Sequence, residues 1–141
     1  MSTTAVQTKT HNDQMPGLTK AFSSFSVNDM ENARSFYSEI LGLNVKQTKE
    51  GLDIEFDGGQ SVFIYGKPNH EPATFTVLNF LTDDISTTVA GLASRGIVFE
   101  SYDGEMQTDE NGIMWGKRRD NGPNIAWFKD PAGNFLSVVE D

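Results

Sequence analysis

A chain of 141 residues with 20 acidic and 11 basic side chains, a formal charge of −9, is the size of one domain and strongly acidic. That balance argues against nucleic acid or an anionic membrane as partner, because phosphate surfaces demand positive charge. The absence of cysteine removes disulfides, thiolate metal sites and thiol nucleophiles together, no apolar run approaches membrane-spanning length, and a cytoplasmic location is expected.

Residues 1–17, MSTTAVQTKTHNDQMPG, lack the apolar centre of a secretory signal and read as a disordered polar tail. Residues 18–141 are then expected to form the single domain. Lys20 to Val27 alternates and is rich in aromatics, the pattern of a first strand. Asn28 or Asp29 is placed to cap the helix that follows, and Asn28 with Glu31 would make a partial capping box. Met30, Ala33, Tyr37, Ile40 and Leu41 fall on one helical face, and Gly42 supplies the left-handed residue that ends the helix.

Three short strands are expected next, Asn44 to Thr48, Leu52 to Phe56 and Ser61 to Tyr65, with Asp57-Gly58-Gly59 as the turn between the last two. The run KPNHEP from Lys67 to Pro72 is a connector. The pattern then restarts. Thr74 to Leu81 is a strand, Asp83 or Asp84 a cap, and Ile85, Val89, Leu92 and Ala93 a helical stripe closed by Gly96. Asp29 and Asp84, Met30 and Ile85, and Gly42 and Gly96 correspond at an offset of about 55 positions. After Val98 to Glu100 come a polar acidic loop, Ser101 to Gly112, and a stretch containing Met114 and Trp115. Ile125 to Phe128 and Phe135 to Val139 are strands flanking Asp130-Pro131-Ala132-Gly133, whose Asp, Pro and Gly positions specify a type I turn.

The order strand, helix, strand, strand, strand is therefore written twice, in a module of about residues 18–68 and another of about 73–141. Neither half can bury its sheet alone, so the two are expected to pair.

A duplicated unit of this kind, with Val27-Asn28-Asp29-Met30 at the helix start, Phe36-Tyr37 inside it, Leu41-Gly42-Leu43 at its end and a closing Asp130-Pro131-Ala132-Gly133-Asn134 turn, resembles the vicinal oxygen chelate superfamily. That superfamily includes glyoxalase I, extradiol dioxygenases, fosfomycin-resistance enzymes and bleomycin-resistance proteins. The resemblance implies an α+β fold of two βαβββ modules whose curved mixed sheets enclose a cavity, often completed by dimerisation. It also implies four places where metal-binding members carry His, Gln or Glu. By register these fall on Phe22, Ile64 (give or take one residue), Val77 and Ser137, which do not build a divalent site. The only histidines are His11, in the tail, and His70, in the connector. Neither falls on an expected strand, so no metal, no cofactor and no histidine-activated serine is expected.

Strand alternation anchored on those four places sends Phe22, Ser24, Ser26, Val62, Ile64, Val77, Asn79, Leu81, Phe135, Ser137 and Val139 toward the cavity. Phe25, Val27, Phe63, Tyr65, Leu78, Phe80, Leu136 and Val138 are sent toward the helices. A mostly apolar hollow with a few polar groups suits a small molecule. The candidate ligand-binding residues are Phe22, Ser24, Ile64, Val77, Asn79 and Ser137, with Trp115 as a lid and Trp127 on the hairpin. Lys117, Arg118 and Arg119 either bind an anion or pair with nearby acids. Asp53 and Glu55 are expected on an exposed strand face, and no catalytic residue is identified. The expectation is a metal-free homodimer that binds or sequesters a small cationic or aromatic molecule, similar in that respect to bleomycin-resistance proteins. The alternatives are an enzyme of the superfamily with displaced or absent ligands, or a dimerising module alone.

Overall fold

Eight strands form two sheets of identical topology in the computed structural model, which describes residues 15–141. His11 and most of the polar N-terminal segment lie outside the described residues. The first module runs β1 (Ser23–Val27), α1 (Met30–Ser35), β2 (Asn44–Gln47), β3 (Leu52–Glu55) and β4 (Ser61–Gly66). The second runs β5 (Thr76–Leu81), α2 (Ile85–Ser94), β6 (Ile113–Trp115), β7 (Asn124–Lys129) and β8 (Phe135–Glu140). The sheet orders are β1-β4-β3-β2 and β5-β8-β7-β6. In each, the first strand lies parallel to the last and the other pairings are antiparallel. The duplication read in the sequence is thus a duplication of topology, and the sheets form no closed barrel.

Both helices start where an aspartate satisfies the free amides of the first turn. Asp29 accepts from the Asn32 amide at 3.0 Å, and Asp84 accepts from the Thr87 amide at 3.2 Å and the Thr87 hydroxyl at 2.8 Å. The cap of α1 is Asp29, so the capping box considered for Asn28 does not form. α1 then widens into a π-helical turn over Phe36–Ile40, in which the Leu41 amide reaches the Phe36 carbonyl at 2.9 Å. The extra residue per turn lets the adjacent Phe36 and Tyr37 both enter the core, 5 % and 0 % exposed. A regular 3.6-residue stripe had placed only Tyr37 there.

One apolar cluster joins the modules. Phe25, Val27, Leu52, Ile54, Val62 and Ile64 of the first sheet meet Ile85, Val89, Ala126, Phe128, Leu136 and Val138 of the second module. Phe36 of the π-helical turn packs against Phe128 of β7, with ring centroids 6.5 Å apart. Polar ties cross the same boundary: the Tyr37 hydroxyl donates to Asp130 at 2.8 Å, the Asn134 side chain to the Ser26 carbonyl at 2.9 Å, and Arg95 to the Ile40 carbonyl at 2.9 Å.

Ladder pairing corrects one strand. Phe25 and Leu52 flank Ile64, and Ser23 and Ile54 flank Val62, so these residues share the helix-facing side. Ile64, expected on the cavity side, is fully buried in the shared apolar cluster, while Phe63 and Tyr65 stand on the opposite face beside Ser24 and Ser26. The reason is that Val62, Phe63, Ile64 and Tyr65 are all large and apolar. Alternation carries no information in such a run, and a one-residue slip exchanges the faces.

Candidate functional site

The edge strands β1 and β5 flank a seam between the sheets, and a cleft opens at each end of it. The larger, about 830 Å³, lies between the start of β1 and the end of β5. Phe22, Ser61, Asn79 and Leu81 line it from one side, and Leu43, Phe56 and Phe80 from the helix side. It therefore passes through the seam rather than resting on one face. The smaller, about 380 Å³, lies at the other end and is lined by Ser24, Ser26, Tyr65, Phe75, Thr76 and Val77. A single hollow between the modules was expected, and two separate clefts replace it.

The expected ligand residues divide between them. Phe22 precedes β1 and is 68 % exposed at the rim of the larger cleft. Asn79 projects into the same space. Its Oδ1 accepts the Ser137 hydroxyl, and Ser137 is fully buried. This leaves the two amide N–H groups of Asn79 as the donors presented to the cleft. Ser24 and Val77 line the smaller cleft, where a bulge between Thr76 and Leu78 breaks the simple alternation of β5. Ile64 reaches neither cleft.

The two indoles have separate settings. Trp115 pairs with Asn124 on the helix-facing side and packs on the core, so it is no lid. Its Nε1 donates to Asp109 at 2.8 Å, and the Arg118 guanidinium covers its ring at 4.1 Å. Trp127 stands beside Ser137 on the face away from the helices and meets the edge of Tyr102 at 5.6 Å. The neighbouring basic cluster is engaged within the molecule: Lys117 lies 3.5 Å from Glu140, Arg118 covers Trp115, and Arg119 donates to the Gln107 carbonyl.

Acidity gathers near the larger cleft. Asp57 lines it, and Asp53 and Glu55 border an adjoining depression that shares Phe56, Gln60 and Ser61 with it. Lys46 lies directly across the ladder from Asp53.

A divalent metal does not fit the places the fold provides. On the face away from the helices, β1, β4, β5 and β8 present Ser24, Ser26, Phe63, Tyr65, Asn79, Phe135 and Ser137. That set holds no carboxylate or imidazole of its own; the Asn79 carbonyl oxygen accepts the Ser137 hydroxyl, and the one imidazole nearby, His70, is hydrogen-bonded to Ser26 and to the Ala132 carbonyl. Among the described residues, no three His, Asp or Glu side chains come close enough to share an ion.

His70 departs from the expected plain surface position. Its Nδ1 lies 2.7 Å from the Ser26 hydroxyl and its Nε2 3.0 Å from the Ala132 carbonyl oxygen. A histidine does therefore stand beside a serine, contrary to the sequence-based expectation. The sequence separation of 44 residues left no local signal for this pair.

Among the described residues, no helix is long and apolar enough to cross a membrane. Residues 21–138 match the model of the Glyoxalase/Bleomycin resistance protein/Dioxygenase superfamily. No curated protein matches the chain at a significant level. Solved structures do. A glyoxalase family protein from Enterococcus faecalis is 20 % identical, with a TM-score of 0.62 over 87 % of this chain and 98 % of that one. TnmS3, an antibiotic binding protein from Streptomyces sp. CB03234, is 25 % identical, with a TM-score of 0.58 over 86 % of this chain and 95 % of its own. A glyoxalase/bleomycin resistance protein from the same organism is also 25 % identical, with a TM-score of 0.53 and coverages of 84 % and 99 %.

Proposed function

The chain belongs to the glyoxalase/bleomycin resistance protein/dioxygenase superfamily, and from that premise we propose that it binds and sequesters a small molecule without a metal ion. The observation that carries the reading is Asn79, held by Ser137 so that its N–H groups face a cleft of about 830 Å³ with Phe22, Phe56 and Phe80 on its walls. A planar, partly apolar ligand with a hydrogen-bond acceptor suits that arrangement, since aromatic walls supply area and one polar group supplies orientation. Asp57 and the adjoining Asp53 and Glu55 favour a cationic ligand. The likeness to an antibiotic binding protein supports sequestration over turnover.

Two copies are proposed to associate. Leu81 is 81 % exposed, and Phe63, Trp127 and Phe135 stand half-buried on the faces away from the helices. A second copy would cover this apolar surface. Light scattering is expected to return twice the chain mass.

Calorimetric titration with a panel of aromatic antibiotics, cationic glycopeptides of the bleomycin type included, tests the reading. At least one compound is expected to bind the wild type equally well before and after dialysis against a chelator. Asn79→Ala is expected to weaken it about fivefold to tenfold, the loss of about one hydrogen bond, and Phe22→Ala to weaken it further. Binding that needs a stoichiometric divalent ion, or that ignores both substitutions, would overturn the reading.

A further inference from the structure

Ser26, on the wall of the smaller cleft, is hydrogen-bonded to His70, and we propose that the two act as a nucleophile–base pair carrying an acyl-transfer activity separate from ligand sequestration. A carbonyl oxygen can only accept, so the contact of His70 Nε2 with the Ala132 carbonyl at 3.0 Å puts the ring proton on Nε2. Nδ1 is then the free lone pair, and the Ser26 hydroxyl donates into it at 2.7 Å. A nucleophile within reach of a base, with the base oriented by a third group, is the arrangement that activates serine.

Each partner is fixed from behind. Ser26 is paired with Tyr65 in the β1–β4 ladder, and its carbonyl accepts from Asn134. The His70 amide closes a turn on the Lys67 carbonyl at 3.0 Å. The Ala132 carbonyl belongs to a turn whose amides are held by Asp130, at 3.0 Å for Ala132 and 2.8 Å for Asn134. Preorganisation of this kind separates a working dyad from a chance contact.

The cleft of about 380 Å³ in front of Ser26 has Tyr65, Phe75 and Val77 as apolar walls and the hydroxyls of Ser24 and Thr76 beside it. Glu71 at its rim disfavours anions. The substrate class is a neutral or cationic ester with a short acyl group and a good leaving group. The Ser26 oxygen forms a bond to the carbonyl carbon while its proton passes to His70. The carbon–oxygen bond to the leaving alcohol then breaks as His70 returns the proton, and water releases the acid by the same route.

The probe is p-nitrophenyl acetate with the full chain. Release of p-nitrophenol is expected, and Ser26→Ala and His70→Gln are each expected to lower it about 100-fold or more. Because either variant could loosen the fold, a second measurement uses the wild type alone. A fluorophosphonate ester is expected to lose fluoride and form one phosphorus–oxygen bond at Ser26, located by peptide mass. Turnover unchanged in Ser26→Ala, or labelling at another residue or nowhere, would overturn the proposal. Neither result bears on binding at Asn79, which lies at the other end of the seam.

Discussion

Asp130 has two carboxylate oxygens, and the fold gives each of them two donors. Oδ1 accepts the amides of Ala132 and Asn134, at 3.0 and 2.8 Å; Oδ2 accepts the Tyr37 hydroxyl and the Asn134 side chain, at 2.8 and 3.1 Å. A carboxylate only 4 % exposed tolerates burial because every lone-pair direction is used. Burial, and then the Asp130 charge, push the Tyr37 phenol far above its ordinary value, so it stays a donor. Tyr37→Phe is expected to cost about 1–3 kcal/mol in urea unfolding, the cost of withdrawing one donor from a buried acceptor. Asp109 makes a different prediction. Burial raises its pKa, but the Ile113 amide, the Trp115 indole and the Asn111 and Gly112 amides outweigh that and hold it below the usual carboxylate value. A depressed folded-state pKa contributes stability above the unfolded aspartate value of about 3.9 that is lost as pH falls through the folded one. In a Trp127→Phe background, Trp115 fluorescence is expected to change below about pH 4, and Asp109→Asn to abolish that change.

At the level of elements, the helix caps show how much short-range chemistry specifies. Asp29 sits in extended backbone, with φ −138° and ψ 107°, and reaches the Asn32 amide, whereas Asn28 makes no such bond as the cap. Asp29→Ala is expected to cost about 0.5–2 kcal/mol and Asn28→Ala about 0.5 kcal/mol or less, both read from thermal melts. Gly42, at φ 69°, ends the helix as the pattern required. The π-helical turn before it was not legible, because propensity and periodicity describe a regular helix and only the fit of Phe36 against Phe128 rewards the irregular one. β4 shows the converse. Its existence was plain from Ser61 to Tyr65, but its facing was not, since neighbours on β1 and β3 settle which side Ile64 takes.

For the whole molecule, one apolar cluster spans both modules, and the two are expected to unfold as one cooperative body. Phe128 is fully buried and its ring meets Phe36, Phe80 and Phe99, at 6.5, 6.5 and 5.5 Å. Phe128→Ala is expected to cost about 3–5 kcal/mol, and amide exchange is expected to accelerate equally in the β1–β4 and β5–β8 ladders. Protection that falls in the second ladder alone would show modules that unfold independently. A chain cut after Pro72 leaves Phe25, Leu52 and Ile64 without the second half of their cluster, and its melting curve is expected to show no cooperative transition.

The elements, their doubled order and the family they belong to were carried by the sequence alone, because caps, turns and periodicity act over a few neighbouring residues. The scarcity of metal-binding side chains on β1, β4, β5 and β8 was legible too, since of the chain's histidines and acids these four segments carry only Glu140. What the tertiary structure decided is which face each residue occupies and which distant groups meet. Phe22 and Asn79 at one cleft, Ser24 and Val77 at another, Ile64 turned inward and Trp115 tied to Asp109 all depend on strand register and on a bulge. The contact of Ser26 with His70 depends on the connector folding back over β1. Such contacts arise only when the shared core closes, and that long-range packing has no signature in any short stretch of chain.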